Sequence, residues 1–363
     1  MNGLSDMILQ VVRISGLVLI ILLVGLLIYL SVRRAAMNKR NSRYSRGLQQ
    51  LLEQDSALQF FLETGQEPRV LNVSPYRRSP VIEALRIHLS VSRTELERSR
   101  IYAYARKHLH DYYARLLKKR RWSTRINALL ELELFRIDSL RDELIKLLGA
   151  RLSDTEKFLI LRTLAGFQME EVLPYLREEA YLMSDSQLLQ LLLPLESAMQ
   201  NAVLSEFHAY PLRVQCAMVD ALRLRNERSV PVLTLLESLL DSTEPALRLS
   251  AILAVANFGY ISPEGDSKLM ASLQQPQSGY SWSERQALAR LMGSIREEHY
   301  IPVLLKFLGD ESYPVRQTAS DSLSRYKSGE EHLRSAAHHH PDRFAREMAE
   351  EALERKRYEG VFY

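Results

Sequence analysis

Residues 14–32, ISGLVLIILLVGLLIYLSV, form a run of 19 residues without a charge, closed by Arg33 and Arg34. At about 1.5 Å of rise per residue, a helix of that length nearly matches the ~30 Å hydrocarbon core of a bilayer. The run predicts a transmembrane helix. A cleaved signal peptide needs a basic leader, a shorter apolar core and a small-residue cleavage site. Here the first twelve residues hold no Lys or Arg, and RRAAMNKRNSRYSR follows the apolar run. A buried core helix also fits poorly with so long an uncharged stretch. From Gly47 apolar residues return at helical spacing, at Leu48, Leu51, Leu52, Leu58, Phe61 and Leu62. Pro68, Pro75 and Pro80 interrupt that pattern. Pro80 suits the first turn of a next helix reaching Leu89. A longer helix is expected from about Thr94 to Lys118, with Thr94 and Glu97 as a capping box.

From Trp122 onward the pattern repeats. A basic residue, a small or apolar residue three later, and apolar residues three and four beyond that recur along the chain. The clearest copies are RINALLE (Arg125, Ala128), RVQCAMVDAL (Arg213, Cys216) and RLSAILAV (Arg248, Ala251). RQALARLM (Arg285, Leu288), RQTASDSL (Arg316, Ala319) and REMAEEAL (Arg346, Ala349) continue the series. Weaker copies start near Lys157 and Gln187, which makes the steps 32, 30, 26, 35, 37, 31 and 30 residues. Pro174, Pro231 and Pro302, in the second apolar segments EEVLPYL, RSVPVLTLL and EHYIPVLLKFL, fall 17, 18 and 17 residues after Lys157, Arg213 and Arg285. A proline is tolerated where a helix starts, because the first N–H groups have no intrahelical partner. Each repeat therefore reads as a pair of helices. A lone pair cannot bury its apolar stripe, so neighbours must stack into a continuous core. Asn226–Ser229 and Ser294–Glu298 supply polar breaks between paired helices. Ser262–Asp266, with Pro263 and Gly265, are expected to enlarge one break and so to account for the longest step. The last helix, Arg343–Arg357, is charged outside an Ala/Met/Leu stripe and suits a terminal cap.

The expected fold class is all-α, a single N-terminal transmembrane helix followed by an α-α superhelix. The expected divisions are a short extracytoplasmic segment at 1–13, the span at 14–32 and a basic juxtamembrane segment at 33–46. A helical collar at 47–121 and the repeat solenoid at 122–363 follow.

The x-V-R-x-x-A-x-x-A-L pattern, as in YPVRQTASDSL and EPALRLSAILAV, with V-P-x-L in the second helix, resembles HEAT repeats. The similarity is to the short bacterial subtype called PBS-lyase HEAT-like, here in a membrane-anchored setting. It covers about Trp122 to Glu359. Two copies depart from it: the one near Gln187 lacks the arginine, and Cys216 stands where alanine is usual. The resemblance implies a right-handed α-solenoid whose concave face binds a protein or peptide. It speaks to fold much more than to function.

Charge is unevenly placed. Residues 33–121 hold 20 Lys+Arg against 8 Asp+Glu, whereas residues 122–363 hold 27 against 35. A basic collar thus precedes an acidic body. Only Arg13, offset by Asp6, lies on the N-terminal side of the span; Arg33, Arg34, Lys39, Arg40, Arg43 and Arg46 crowd the other side. Basic residues near a span stay in the cytoplasm, so the expected protein is single-pass in the cell membrane, N-terminus outside and body cytoplasmic. Those six residues are expected to contact anionic membrane lipids, each nearby charge adding about 1 kcal/mol of attraction. A plain topology signal explains them equally well. The single cysteine, Cys216, permits no internal disulfide and agrees with a cytoplasmic body.

Candidate chemistry is sparse. The repeated arginines Arg125, Arg213, Arg248, Arg285, Arg316 and Arg346 invite a reading as a phosphate- or carboxylate-binding ladder. Structural pairing between repeats is the reading favoured. Tyr102, Tyr104, Tyr112 and Tyr113, followed by the basic run Lys118–Arg121, could suggest nucleic-acid binding. Packing of the tyrosines and a basic helix end favoured by the macrodipole explain the same residues. His108 and His110 are two apart and point to different sides of a helix, a poor metal pair. His338–His340, before Pro341, are expected in an exposed loop rather than at a metal. Glu170/Glu171 and Glu297/Glu298 are expected in loops at matching repeat positions. There is no Walker loop, G-x-G-x-x-G, H-E-x-x-H or G-x-S-x-G, so no enzyme, catalytic residue, cofactor or metal is expected.

The function expected is a membrane-tethered protein–protein interaction scaffold on the cytoplasmic face. Tethering raises the effective concentration of cargo at the membrane without new contacts. The partner is a protein on the concave face; neither nucleic acid nor a small-molecule substrate is expected. Likeness to bacterial anchored proteins of this kind implies envelope or polysaccharide-synthesis machinery, a link that no single residue carries. Two alternatives stay open. A nucleic-acid-binding HEAT-like protein would need a basic groove in a net-acidic region. A cryptic enzyme related to HEAT-like lyases is implied only by the subtype's name.

Overall fold

The computed structural model describes the backbone of residues 2–53, 55–71, 78–92, 94–274 and 279–359, and the side chains of these except 2–20, 78 and 359. Among the described residues every regular element is helical. Pro75, one of the expected breakers, lies outside them. The first helices are α1 (Asn2–Leu52), α2 (Ala57–Thr64), α3 (Arg78–Val91), α4 (Glu95–Leu117), α5 (Trp122–Leu134) and α6 (Arg141–Leu148). The chain divides into two compact units, Met1–Glu143 and Leu144–Tyr363, so the division falls inside α6.

In the first unit α1 is one continuous helix of 51 residues. It joins the apolar run, the basic segment and Leu48–Leu52, where the residue pattern suggested a separate helix from Gly47. No proline interrupts residues 2–52, and nothing else in them forbids the ladder. Residues 21–32 are exposed on every side. By length and composition this helix is long and apolar enough to cross a membrane. The break the periodicity concealed comes at Ser56, whose hydroxyl donates to Leu51 O (2.9 Å) and accepts from Gln59 N (3.2 Å). One side chain thereby serves the end of α1 and the start of α2. α2 stops at Gly65, whose φ of 78° favours glycine.

Gly47 of α1 passes close to Pro80 of α3, where an added Cβ would lie 3.4 Å from the ring. α4 starts at Thr94 as expected, but only half of the capping box forms. Thr94 Oγ1 accepts from Glu97 N, while the Glu97 carboxylate accepts from the Ser92 hydroxyl at 2.6 Å instead of turning back to Thr94. Tyr104 and Tyr113 of α4 are buried. Their hydroxyls donate to Leu71 O and Glu131 Oε2, each at 2.5 Å. Tyr104 and Tyr113 are therefore core residues with satisfied hydroxyls, while Tyr102 and Tyr112 are half-buried. α5, the first helix of the expected array, packs on α4 within this unit.

The second unit is an α-solenoid of helix pairs. Its first helices are α7 (Asp154–Gly166), α9 (Asp185–Leu192), α11 (Leu212–Arg225), α13 (Pro245–Phe258), α15 (Trp282–Ile295), α17 (Tyr313–Leu323) and α19 (Arg343–Glu359). The second helices are α8 (Leu173–Glu178), α10 (Ser197–Ser205), α12 (Val230–Ser238), α14 (Pro263–Gln274), α16 (Ile301–Leu308) and α18 (Gly329–His339). Pro174, Pro231 and Pro302 occupy the first turns of α8, α12 and α16, as their spacing predicted. The first helices α11, α13, α15 and α17 pack closely each against the next, and at the end of the array α19 packs chiefly on α18. At Gly293 of α15 an added Cβ would lie 2.5 Å from Ser322 Cβ of α17. Only glycine permits that approach, and Ser322 Oγ uses it to donate to Ala289 O at 2.8 Å.

Two loop assignments are corrected. Ser262–Asp266 do not enlarge a break: Pro263 opens α14, and Ser262 Oγ accepts from Gly265 N (3.0 Å) as its N-terminal cap. The extra length of that repeat lies instead in α14, twelve residues against eight in α16, and in the connection after it, part of which is outside the described residues. His338 and His339 are not in a loop but close the last turn of α18, because Ala336 and Ala337 continue its buried face. Glu170/Glu171 and Glu297/Glu298 do fall at matching positions, at the 3₁₀ turns that lead into α8 and α16.

Candidate functional site

Five of the six repeated arginines share one geometry. Arg125 Nη1 donates to Lys119 O and Arg120 O, both at 2.9 Å. Arg248 Nη1 reaches Ser242 O (2.8 Å) and Arg285 Nη1 reaches Tyr280 O (2.9 Å). Arg316 Nη1 binds Asp310 O (2.7 Å), and Arg346 Nη1 binds His340 O (2.7 Å). Each guanidinium thus returns to carbonyls five or six residues earlier, in the tight turn that precedes its own helix. Such turns leave C=O groups without a ladder partner, and the planar fork of arginine satisfies them. The remaining donors differ. Arg248 Nε pairs with the buried Glu284 carboxylate at 2.7 Å, across from α13 to α15. Arg285 takes Asp310 at 2.6 Å and Glu311 at 3.1 Å, and the Asp310 hydrogen bond holds its pKa above the usual guanidinium value. Arg316 lies over the rings of Tyr313 and Phe344, 5.7 and 5.0 Å from their centroids.

Arg213 does not share this position. In α11 the buried residues Val214, Met218, Val219 and Leu222 match Leu247, Ala251, Ile252 and Val255 of α13. The equivalent of Arg248 is therefore Gln215, whose Nε2 donates to Tyr210 O at 2.8 Å, five residues back. Arg213 stands two residues earlier and binds Asp185 (2.7 Å) and Met183 O (2.8 Å). Its neighbour in the repeated pattern, Cys216, is half-buried rather than buried, and burial pushes its thiol up. That cysteine has no activated thiolate.

On α1, Arg33, Arg34, Lys39, Arg40, Arg43 and Arg46 are all exposed. At 100° per residue all but Arg34 fall within about 140° of arc, and Arg46 stands about 20 Å along the axis from Val32. Arg46 also folds back onto Ser42, donating to its O (3.3 Å) and Oγ (3.1 Å).

No group of three or more His, Cys, Asp or Glu able to hold a metal occurs among the described residues. His108 pairs with Glu67 (2.9 Å) and His110 with Ser139 (2.8 Å), on different sides of α4 as their spacing requires. The Lys107 hydrogen bond, at 2.8 Å, holds the Glu67 carboxyl below its usual range.

The cleft that sequence reasoning missed opens across the first-helix row. It encloses about 320 Å³ and is lined by Arg223, Asn257, Arg290, Ser294, Asp321 and Arg325 among others. These residues come from α11, α13, α15 and α17 or their ends, so most of them lie roughly one repeat apart along the chain. The periodic pattern drew attention to the ladder instead.

The family described as HEAT repeats matches residues 277–354. The array is HEAT-like. An engineered protein of known crystal structure is 18% identical over 85% of this chain and 87% of its own, with a TM-score of 0.25. A designed armadillo repeat protein is 15% identical over 85% of this chain and 98% of its own, with a TM-score of 0.17. No curated protein matches the chain. The matched HEAT stretch holds Arg285, Arg316 and Arg346, each bound to its own preceding turn. A HEAT-like array offers a continuous row of helix surfaces, the arrangement of a protein-interaction scaffold.

Proposed function

We propose that this protein is a membrane-tethered interaction scaffold, anchored by residues 14–32 with its HEAT-like array on the cytoplasmic side and a protein as partner. The observation that carries the reading is one chain bearing both an exposed apolar helix of membrane-spanning length and a HEAT-like array. The flanking charge supports the orientation, since six basic residues follow the span within fourteen positions. Arg33 and Arg34, next to the span, are the residues proposed to meet anionic lipid headgroups. Arg46, about 20 Å further along a rigid helix, lies beyond the ~8 Å screening length if the helix stands upright. The ladder arginines are proposed to be structural, because five of the six guanidinium groups are engaged by their own loops and Arg213 by Asp185 and Met183 O of the preceding repeat. Envelope or polysaccharide-synthesis machinery is the client class to test first, on its likeness to bacterial anchored arrays.

The test is a crosslinked pull-down of the intact protein from membranes, with residues 1–46 as control. Partners captured by the full chain alone support the scaffold. Capture of nothing at good yield, or a reporter after Tyr363 active only outside the cell, refutes it.

A further inference from the structure

We propose that the cleft over α11, α13, α15 and α17 binds an acidic stretch of a partner protein, with Arg290 and Arg325 as the carboxylate-binding groups. The inference rests on the scaffold reading and names the chemistry of its partner.

The charges in the cleft are not alike. Arg223 is held by Asp220 at 3.1 Å, and Asp321 is held by Arg355 of α19 at 2.5 Å. Arg290 and Arg325 are exposed, and among the described residues their side chains make no hydrogen bond or ion pair. They contrast with the ladder arginines, each of which donates to a backbone carbonyl. They also stand in a region that is net acidic, 27 Lys+Arg against 35 Asp+Glu over residues 122–363. Helix dipoles explain only one of them. Arg325 follows the end of α17 at Leu323, where a cation offsets the carbonyl end. Arg290 lies inside α15, five residues before its end at Ile295, beyond the reach of that effect. Two uncompensated guanidinium groups sharing a polar cleft favour an anionic ligand, bound bidentately through the flat fork of arginine.

Spacing selects the ligand. Neighbouring helix axes lie about 8–10 Å apart. A chain in the polyproline II conformation advances about 3.1 Å per residue with three residues per turn, so two carboxylates three residues apart lie on one face and span adjacent helices. A peptide with an acidic side chain at every third position would therefore meet Arg290 and Arg325 in turn, and the hydroxyls of Ser294 and Thr318 line the path between. A polyphosphate backbone is a poorer fit, since Asp321 lines the same groove and every unit of such a backbone carries a charge, whereas carboxylates at every third position can pass it with an uncharged residue.

The experiment uses the full chain in neutral-lipid nanodiscs. The probe is a fluorescein-labelled peptide of four Asp-Ser-Ser repeats, the control is its Asn-Ser-Ser counterpart, and binding is read by anisotropy at low salt. The expected result is saturable binding, weakened at least tenfold by Arg290→Ala together with Arg325→Ala, and absent for the control. Because both arginines are exposed and make no internal bond, the double variant should melt with the wild type. Failure of the peptide to saturate, equal binding by the double variant, or equal binding of the uncharged peptide overturns the proposal. So does an arginine-dependent single-stranded oligonucleotide of equal length that binds tighter than the peptide. Pull-downs separate the two readings. Partners captured alike by wild type and double variant leave the scaffold standing and remove the cleft; capture by neither removes the scaffold itself.

Discussion

Arg248 provides the sharpest test of what the repeated arginines do. Its guanidinium satisfies Ser242 O at 2.8 Å, pairs with Glu284 at 2.7 Å and lies 5.0 Å from the Tyr280 ring centroid. The Glu284 side chain is 1% exposed and Arg248 16%, so this pair is buried, unlike most on the surface. Arg248→Met keeps the aliphatic stem and removes the charge. Breaking a buried pair from one side costs about 3–5 kcal/mol, chiefly because the other charge is stranded. Here Glu284 retains two donors, Ser281 N at 2.8 Å and Ser281 Oγ at 2.7 Å, which lowers the expected loss. We expect about 2–3 kcal/mol, equivalent to about 5–10 °C in Tm for a unit of this size. The reporter is Trp282, at the start of α15 beside the pair, with Trp122 replaced by Phe so that fluorescence follows the second unit alone. Glu284→Gln closes a double-mutant cycle, and the two losses should fall short of additivity by about 1–2 kcal/mol. A loss below about 0.5 kcal/mol for Arg248→Met would refute the structural assignment and reopen the ladder as a binding surface.

Further outcomes follow from the same structure. Gly293→Ala gains about 1 kcal/mol of helix propensity but drives a methyl to 2.5 Å from Ser322 Cβ and 2.9 Å from its Cα; net destabilisation by about 1–2 kcal/mol is expected. Stabilisation of the single variant in thermal melts would disprove the close approach of α15 and α17. In the first unit His88 Nε2 is buried without a partner, and burial lowers its pKa from 6.5. The unfolded chain therefore binds that proton first, so stability present above about pH 6.5 falls as the pH drops through and below that value. Glu67, also depressed, adds a further loss below about pH 4.5, as the pH passes through its folded value. Melts of wild type and His88→Gln between pH 7.5 and 5 should differ in slope, and parallel curves would count against the assignment. Tyr104→Phe removes the hydroxyl that satisfies Leu71 O and should cost about 1–2 kcal/mol, read by urea unfolding.

The helical class, the apolar helix of membrane length and the pairing of helices were legible because each rests on a local rule. An uncharged run of 19 residues, a 3.6-residue stripe and a proline at a first turn need no knowledge of what lies across the fold. Boundaries set by a single side chain were less so. Ser56 breaks a pattern whose apolar spacing runs on through it, and Ser262 begins α14 where Pro263 and Gly265 read as a loop. Arg213 shows the same limit more sharply: by spacing it is the repeat arginine, yet the buried face of α11 puts Gln215 in that place.

What the residue order determined by itself was therefore architecture, a membrane-length helix and an array of stacked helix pairs, because period and composition are properties of a segment. What only the tertiary structure decided was which charges are spent and which are free. Arg248 and Arg290 are both arginines on first helices of neighbouring repeats, Arg248 at the repeat position and Arg290 five residues beyond it, and the repeat pattern says nothing of what either one binds. One is committed to a turn carbonyl and a buried carboxylate, the other faces an open cleft with no internal partner. The turn carbonyl is local, six residues back, but the buried carboxylate lies 36 positions away along the chain and is brought to Arg248 only when the helices stack.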